Sequence, residues 1–238
     1  ENADLHLERA GALLRTRRLD QAEQALAQSS GLDPNLFPAY TLQAQLALGR
    51  GDFEEAQRLT RTAGRIHPDH PHVAALEGTL ALRRGDAERA MGILSEANRR
   101  YPGEPVLQHA LGFAYFTAGH FAFAEQAFRQ LRETQADSLS IRILLAQLMA
   151  RQGRPGDALD ELGPMLERPG SGPALQRLAG ELALGAGRNA EARELLLRAL
   201  HAEPGDRRTL SAMLEAWRRL DASDEARKTL DDLLAGHP

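Results

Sequence analysis

Cysteine is absent from all 238 residues, which excludes a disulfide framework, a thiolate-held zinc and a thiol nucleophile. That absence fixes no compartment, since it suits oxidising and reducing spaces alike. Lysine is almost missing: Lys228 is the only one, and arginine carries the rest of the positive charge. No apolar run approaches the roughly 18 residues that span a bilayer. P-loop, HExxH and GxSxG patterns are missing, which removes the commonest nucleotide, metalloprotease and hydrolase signatures. An N-x-[ST] glycosylation acceptor is missing as well. The chain does not start with Met and shows no signal peptide, so a piece of a longer protein is expected.

What remains is a folding composition, with 42 % apolar residues and a net charge of −4. Arginine is interleaved with Glu and Asp, the pattern of solvated helix faces and not of a nucleic-acid surface.

The informative signal is a period. Pro34, Pro68 and Pro102 lie 34 residues apart, and further steps reach Ala136, Gly170 beside Pro169, Pro204 and Pro238. Ala22, Ala56, Ala90, Ala124, Ala158, Ala192 and Ala226 keep the same spacing without exception. Gly51, Gly85, Gly119, Gly153 and Gly187 form another series, with Arg17 and Asp221 at its ends. Leu26, Thr60, Leu94, Phe128, Leu162, Leu196 and Leu230 form one more.

Each period reads as two short amphipathic helices. In the third, the first helix is expected from Pro71 to about Leu82 and the second from near Asp86 to near Arg99. Gly85 supplies a left-handed turn between them, and Tyr101-Pro102 ends the second. Asp86 is an N-cap, and Asp52 with Glu55 and Asp20 with Glu23 read as capping-box variants. Helices of about 12 residues are marginal alone in water and must be stabilised by stacking. Small residues, the alanine series and Gly78, Gly112 and Gly180, let neighbouring helices approach.

This arrangement resembles the tetratricopeptide repeat, W-x₂-L-G-x₂-Y…A-x₃-F…P. The fourth repeat carries Leu111, Gly112, Tyr115, Ala124 and Phe128; the third carries Gly78, Ala90, Leu94, Ala97 and Pro102; the sixth carries Gly180, Ala192, Leu196, Ala199 and Pro204. The resemblance implies an all-α, right-handed superhelical solenoid of about seven 34-residue repeats. Their expected bounds are 3–36, 37–70, 71–104, 105–138, 139–172, 173–206 and 207–238. The sequence departs from the pattern at the Trp-like position, filled by His6, Tyr40, Ala74, Gln108, Arg142, Gln176 and Leu210. Pro155 and the Pro-Gly-Ser-Gly junction at 169–172 mark the fifth repeat as a candidate irregularity or hinge.

Three tempting motifs dissolve into the period. The stretch IHPDHPHV, with His67, His70 and His72, aligns with the Pro-containing junctions of other repeats, so a turn is expected and no metal site. Gly185-Ala186-Gly187-Arg188-Asn189-Ala190 imitates a dinucleotide fingerprint but follows an expected helix instead of a strand. Glu181 and Glu215, one period apart, have Arg177 and Arg219 four residues away and read as helix-surface ion pairs, not an acid/base couple.

The resemblance further implies that first helices line a concave groove, giving Thr41, Gln45 and Leu48, then His72, Ala75, Thr79 and Arg83. The central aromatic cluster divides there: Tyr115, Phe121 and Phe128 take packing positions, whereas Phe113 and Phe116 face the groove. The candidate partner-binding residues are Arg83, His109, Phe113, Phe116, Gln147, Arg151 and Arg177, with Arg83 and Arg151 suited to carboxylates or phosphates. The Lys/Asn/Arg carboxylate clamp of chaperone-binding relatives is missing. The expected function is a non-catalytic scaffold that binds a segment of another protein, with no cofactor, metal, nucleic acid or small-molecule substrate. Alternatives are a targeting domain of a larger glycosyltransferase- or sulfotransferase-type enzyme, and an envelope assembly or exopolysaccharide export factor. The compartment is left as cytoplasm or periplasm. Leu230, Leu233 and Leu234 in the last repeat are expected to expose an apolar edge and support self-association.

Overall fold

The first six periods fold as the pairs of helices their turn residues dictate, and the seventh opens with a further first helix. The computed structural model describes residues 2–224, 226, 228 and 229. Thirteen helices lie among them: α1 (Ala3–Arg15), α2 (Leu19–Leu32), α3 (Phe37–Arg50), α4 (Phe53–Ile66), α5 (Pro71–Arg83), α6 (Ala87–Arg100), α7 (Pro105–Thr117), α8 (Phe121–Thr134), α9 (Leu139–Arg151), α10 (Pro155–Leu166), α11 (Pro173–Gly185), α12 (Asn189–Ala202) and α13 (Arg207–Arg219). The fold is all-α, with helices packed pairwise as helix-turn-helix repeats. None of the described helices is long and apolar enough to cross a membrane. Leu230, Leu233 and Leu234 lie outside the described residues.

The chain divides into two compact units, Glu1–Thr134 and Gln135–Pro238. In the first, α1 packs on α2, α3 on α4, α5 on α6 and α7 on α8, while α3, α5 and α7 also meet as neighbours. In the second, α9 packs on α10 and α11 on α12, with α13 against both α12 and α11. The division falls where Ala136 interrupts the proline series, not at the 169–172 junction, which lies inside the second unit. That junction is irregular, with Gly170 at φ 83°. Pro164 sits inside α10, where it lacks the N–H of a helical bond, and α10 stops at 12 residues where other second helices have 14.

One turn recurs seven times. The N–H of residues 18, 52, 86, 120, 154, 188 and 222 each donates to the carbonyl five residues back, over 2.8–3.0 Å. This is the closing bond of a Schellman turn, and it requires a left-handed residue just before the donor. Gly51, Gly85, Gly119, Gly153 and Gly187 supply it at φ 73–81°, and Arg17 and Asp221 adopt it at 57° and 52°. The end repeats therefore keep the turn and accept backbone strain for it.

The alanine series fills the closest approach between paired helices: Ala22, Ala56, Ala90, Ala124, Ala158 and Ala192 are all 0 % exposed. Gly112 permits a further close contact, for a Cβ there would lie 2.3 Å from Cε1 of the buried Phe128 ring. Asp52 and Asp86 cap α4 and α6, accepting from the N–H groups of Glu55 (3.1 Å) and Arg89 (3.0 Å). The Glu55 carboxylate does not complete a capping box but takes Arg58 at 2.6 and 2.7 Å. Asp20 is not a cap: α2 starts at Leu19, and the Asp20 carboxylate accepts from Arg50 at 2.9 Å.

Three polar residues at the Trp-like position, Gln108, Arg142 and Gln176, find hydrogen-bond partners. Buried Gln108 donates to Asn98 at 2.9 Å, and Gln176 donates to Ser171. Arg142 reaches the buried Glu161 carboxylate at 2.9 Å and also the carbonyls of Glu161 and Ala136. Such bonds offset the cost of placing polar side chains at depth.

Candidate functional site

The first unit carries an open groove across α3, α5 and α7. Two cavities compose it. One of about 330 Å³ is lined by Gln45, Leu48 and Gly49 from α3, by His72, Ala75, Leu76, Thr79 and Arg83 from α5, and by Val106, His109 and Ala110 from α7. The next, of about 460 Å³, is lined by Thr79, Leu82, Arg83, His109, Ala110, Phe113 and Thr117. Thr79, Arg83, His109 and Ala110 belong to both, so the cavities are continuous.

The side chains around Arg83 are held by their own helices. Arg83 occupies the last turn of α5, where a cation suits the helix dipole, and it makes no ion pair among the described residues. The Thr79 hydroxyl donates to the Ala75 carbonyl at 2.7 Å, which satisfies its proton within α5. Phe113 is half-buried and stands edge-on to the buried Phe128 ring at 5.7 Å, 81°. His109 stands edge-on to Phe113 at 5.0 Å, 64°. Neither nitrogen of His109 is hydrogen-bonded among the described residues. Its ring is open to the groove yet walled by neighbouring helices, and this desolvation lowers its pKa from the ordinary imidazole value.

The expected site residues thus separate. Arg83, His109 and Phe113 come together. Phe116 lies outside both cavity linings, with its ring 5.8 Å from Phe121. Gln147, Arg151 and Arg177 belong to the second unit; Gln147 and Arg151 are exposed. Arg177 is already committed, to Glu181 at 2.9 Å and to Asp206 at 3.3 Å. Thr41, expected on the groove, is buried and its hydroxyl donates to the Pro38 carbonyl. The lining also includes Leu82, Val106 and Thr117, which were not expected. Each is one period from a named position (Leu48, His72 and Arg83), so the repeat itself carried the signal.

The histidine stretch is a junction. His67 ends α4, and its N–H donates to the Ala63 carbonyl at 2.9 Å. His70 is the N-cap of α5: its Nδ1 accepts from the His72 N–H at 3.2 Å, and its ring packs 4.4 Å from Phe37. Burial, then the neighbouring His72 and His67, lower the pKa of His70 against an opposing pull from Glu104. Among the described residues no three His, Asp or Glu side chains are placed to hold a metal ion. The Gly185–Ala190 segment runs from the last residue of α11 into α12, and Gly187 supplies the left-handed turn between them. Glu215 pairs with Arg218 at 2.7 Å and Arg219 at 2.6 Å, and those two guanidiniums lower its carboxyl to about 2.

A sequence model of the tetratricopeptide repeat matches residues 47–112 and 81–148, and a second one matches 139–164. No curated protein sequence matches the chain. Solved structures share its fold at low identity. PilW, described as a widely conserved type IV pilus biogenesis factor, is 19 % identical at a TM-score of 0.72, over 89 % of this chain and 98 % of its own. PilF of Pseudomonas aeruginosa is 18 % identical at 0.66, over 90 % and 97 %. YrrB, described as a repeat protein with an unusual peptide-binding site, is 16 % identical at 0.58, over 80 % and 98 %.

Proposed function

The chain belongs to the tetratricopeptide repeat family, and on that footing we propose that it is a non-catalytic scaffold whose α3–α5–α7 groove holds a segment of a partner protein. The observation that carries this reading is the groove itself: two continuous cavities, a half-buried aromatic braced from below, and an arginine that makes no ion pair among the described residues. A braced aromatic offers contact area without ordering cost, which is how interface anchors act. That the similar protein YrrB is described by its peptide-binding site accords with this reading.

A cross-linking capture from native lysate tests it, with wild type beside a folded Arg83→Ala/Phe113→Ala variant. A partner held by the wild type and lost by the variant is the expected result. A partner held equally by both moves the binding surface off this groove. A second reading, an assembly factor of a pilus-type apparatus, is favoured by the match in length and fold to PilW and PilF. It stands if the captured partner is a component of such an apparatus.

A further inference from the structure

Resting on the groove reading, we propose that the cavity shared by Arg83 and His109 receives an acidic side chain of the partner, with a neighbouring apolar side chain on Phe113, and that His109 takes up a proton as the acid enters. The groove would then bind an Asp- or Glu-containing segment more tightly as pH falls below neutral.

The charge inventory selects an acid. Helix α7 has no charged residue besides His109, and α5 contributes Arg83 and His72 to the linings. Helix α3 contributes neutral Gln45. Helices α6 and α8, which also pack on α7, place no charged group in either lining. All charged or titratable side chains lining these cavities are therefore cationic or imidazole, in a chain whose net charge is −4; Glu104, the N-cap of α7, acts on His70 and belongs to neither lining. A basic partner segment would find nothing there to neutralise it.

The geometry gives His109 its part. Its nitrogens are unbonded, so an imidazolium N–H is free to donate to a carboxylate beside the Arg83 fork. The Phe113 ring, with its centroid 5.0 Å away, walls the imidazole on one side. Desolvation by the surrounding helices lowers the pKa of the ring and so disfavours its cationic form. A bound carboxylate reverses that balance by supplying the missing opposite charge. Binding then stabilises the protonated form, and by linkage protonation strengthens binding.

The test uses the full chain and a random peptide library selected at mildly acidic pH, followed by titration calorimetry of the best peptide. Selected peptides are expected to share an Asp or Glu beside a large apolar residue. Replacing that acid by Asn or Gln should weaken binding about tenfold, and raising the pH from about 5.5 to 7.5 should weaken it by about the same factor, as one unit of pKa change implies. His109→Gln, checked for folding by circular dichroism, should bind with no such pH dependence, and Arg83→Gln should lose the preference for the acid. Selected peptides without an acidic preference would overturn the proposal while leaving the groove reading intact. So would a pH dependence that survives in His109→Gln. Failure of the folded wild type to retain any peptide would overturn both.

Discussion

Helices α5 and α7 in the first unit and α11 and α13 in the second are built on the same period but treat their charges in opposite ways. Thr79 and Phe113 stand where Glu181 and Glu215 stand two to four periods later. In the second unit the glutamates neutralise their own arginines: Arg177 binds Glu181, and Arg218 and Arg219 bind Glu215. Arg219 also donates to the Leu184 carbonyl at 2.7 Å. In the first unit Arg83 pairs with no acid among the described residues, and Thr79 and Phe113 line open cavities at the glutamate positions. The difference teaches that a repeat fixes where a side chain projects, while its neighbours decide whether it is available to a partner.

The contrast is sharpest at the Arg142–Glu161 pair, where charge satisfaction in the second unit reaches into the core. Glu161→Ala would leave Arg142 half-buried with carbonyl partners only, at a cost of about 3 kcal/mol. Trp217, the lone tryptophan, is buried in that unit, so its fluorescence in urea reports the loss. An unchanged midpoint would show that the pair contributes nothing.

Packing at the in-phase glycines should separate the units by a smaller margin. Gly112→Ala in the first unit pushes a Cβ against the rigid Phe128 ring and should cost about 1–3 kcal/mol, partly offset by helix propensity. Gly180→Ala in the second puts a Cβ 2.5 Å from Cγ of the buried Leu196, an aliphatic chain that can yield by small torsions where a ring must move as one plate, so its loss should be the smaller of the two. Equal urea midpoints for the two variants would refute the argument from ring rigidity.

Arg17→Gly should raise stability by up to about 1 kcal/mol, because glycine takes φ 57° without the strain a side chain meets there. A lowered melting temperature would mean that the arginine side chain contributes more than its backbone loses.

Acid should divide the units most gently. His70 has a depressed pKa in the fold, so its contribution is full above the ordinary imidazole value of 6.5 and fades as pH falls through its lower folded value. Protonation also removes the Nδ1 acceptor from the His72 N–H and sets a cation at a helix N-terminus. Glu215, lowered from 4.5 to about 2, contributes above 4.5 and loses that contribution only as pH falls towards 2. Amide exchange near neutrality and at pH 5 should therefore quicken at the start of α5 before it changes around Glu215. The reverse order would break the assignment.

The sequence alone determined the helix pairs, their turns and their buried small residues. A 34-residue period in Pro, Gly and Ala states local backbone demands, and such demands are met the same way wherever they recur. Even Arg17 and Asp221, which spoil the glycine series, keep the turn their positions call for. Arg83, His109 and Phe113 were legible as candidates for the same reason, since first-helix positions repeat. The sequence did not show that Asp20 serves Arg50 instead of capping α2, or that Arg142 finds Glu161 beneath it. The Arg177–Glu181 pair was legible from its four-residue spacing, but not that Asp206 also holds Arg177 while Arg83 makes no ion pair among the described residues. These outcomes depend on which opposite charge lies within reach in three dimensions. That competition is settled by packing between helices, and only the tertiary structure decided it.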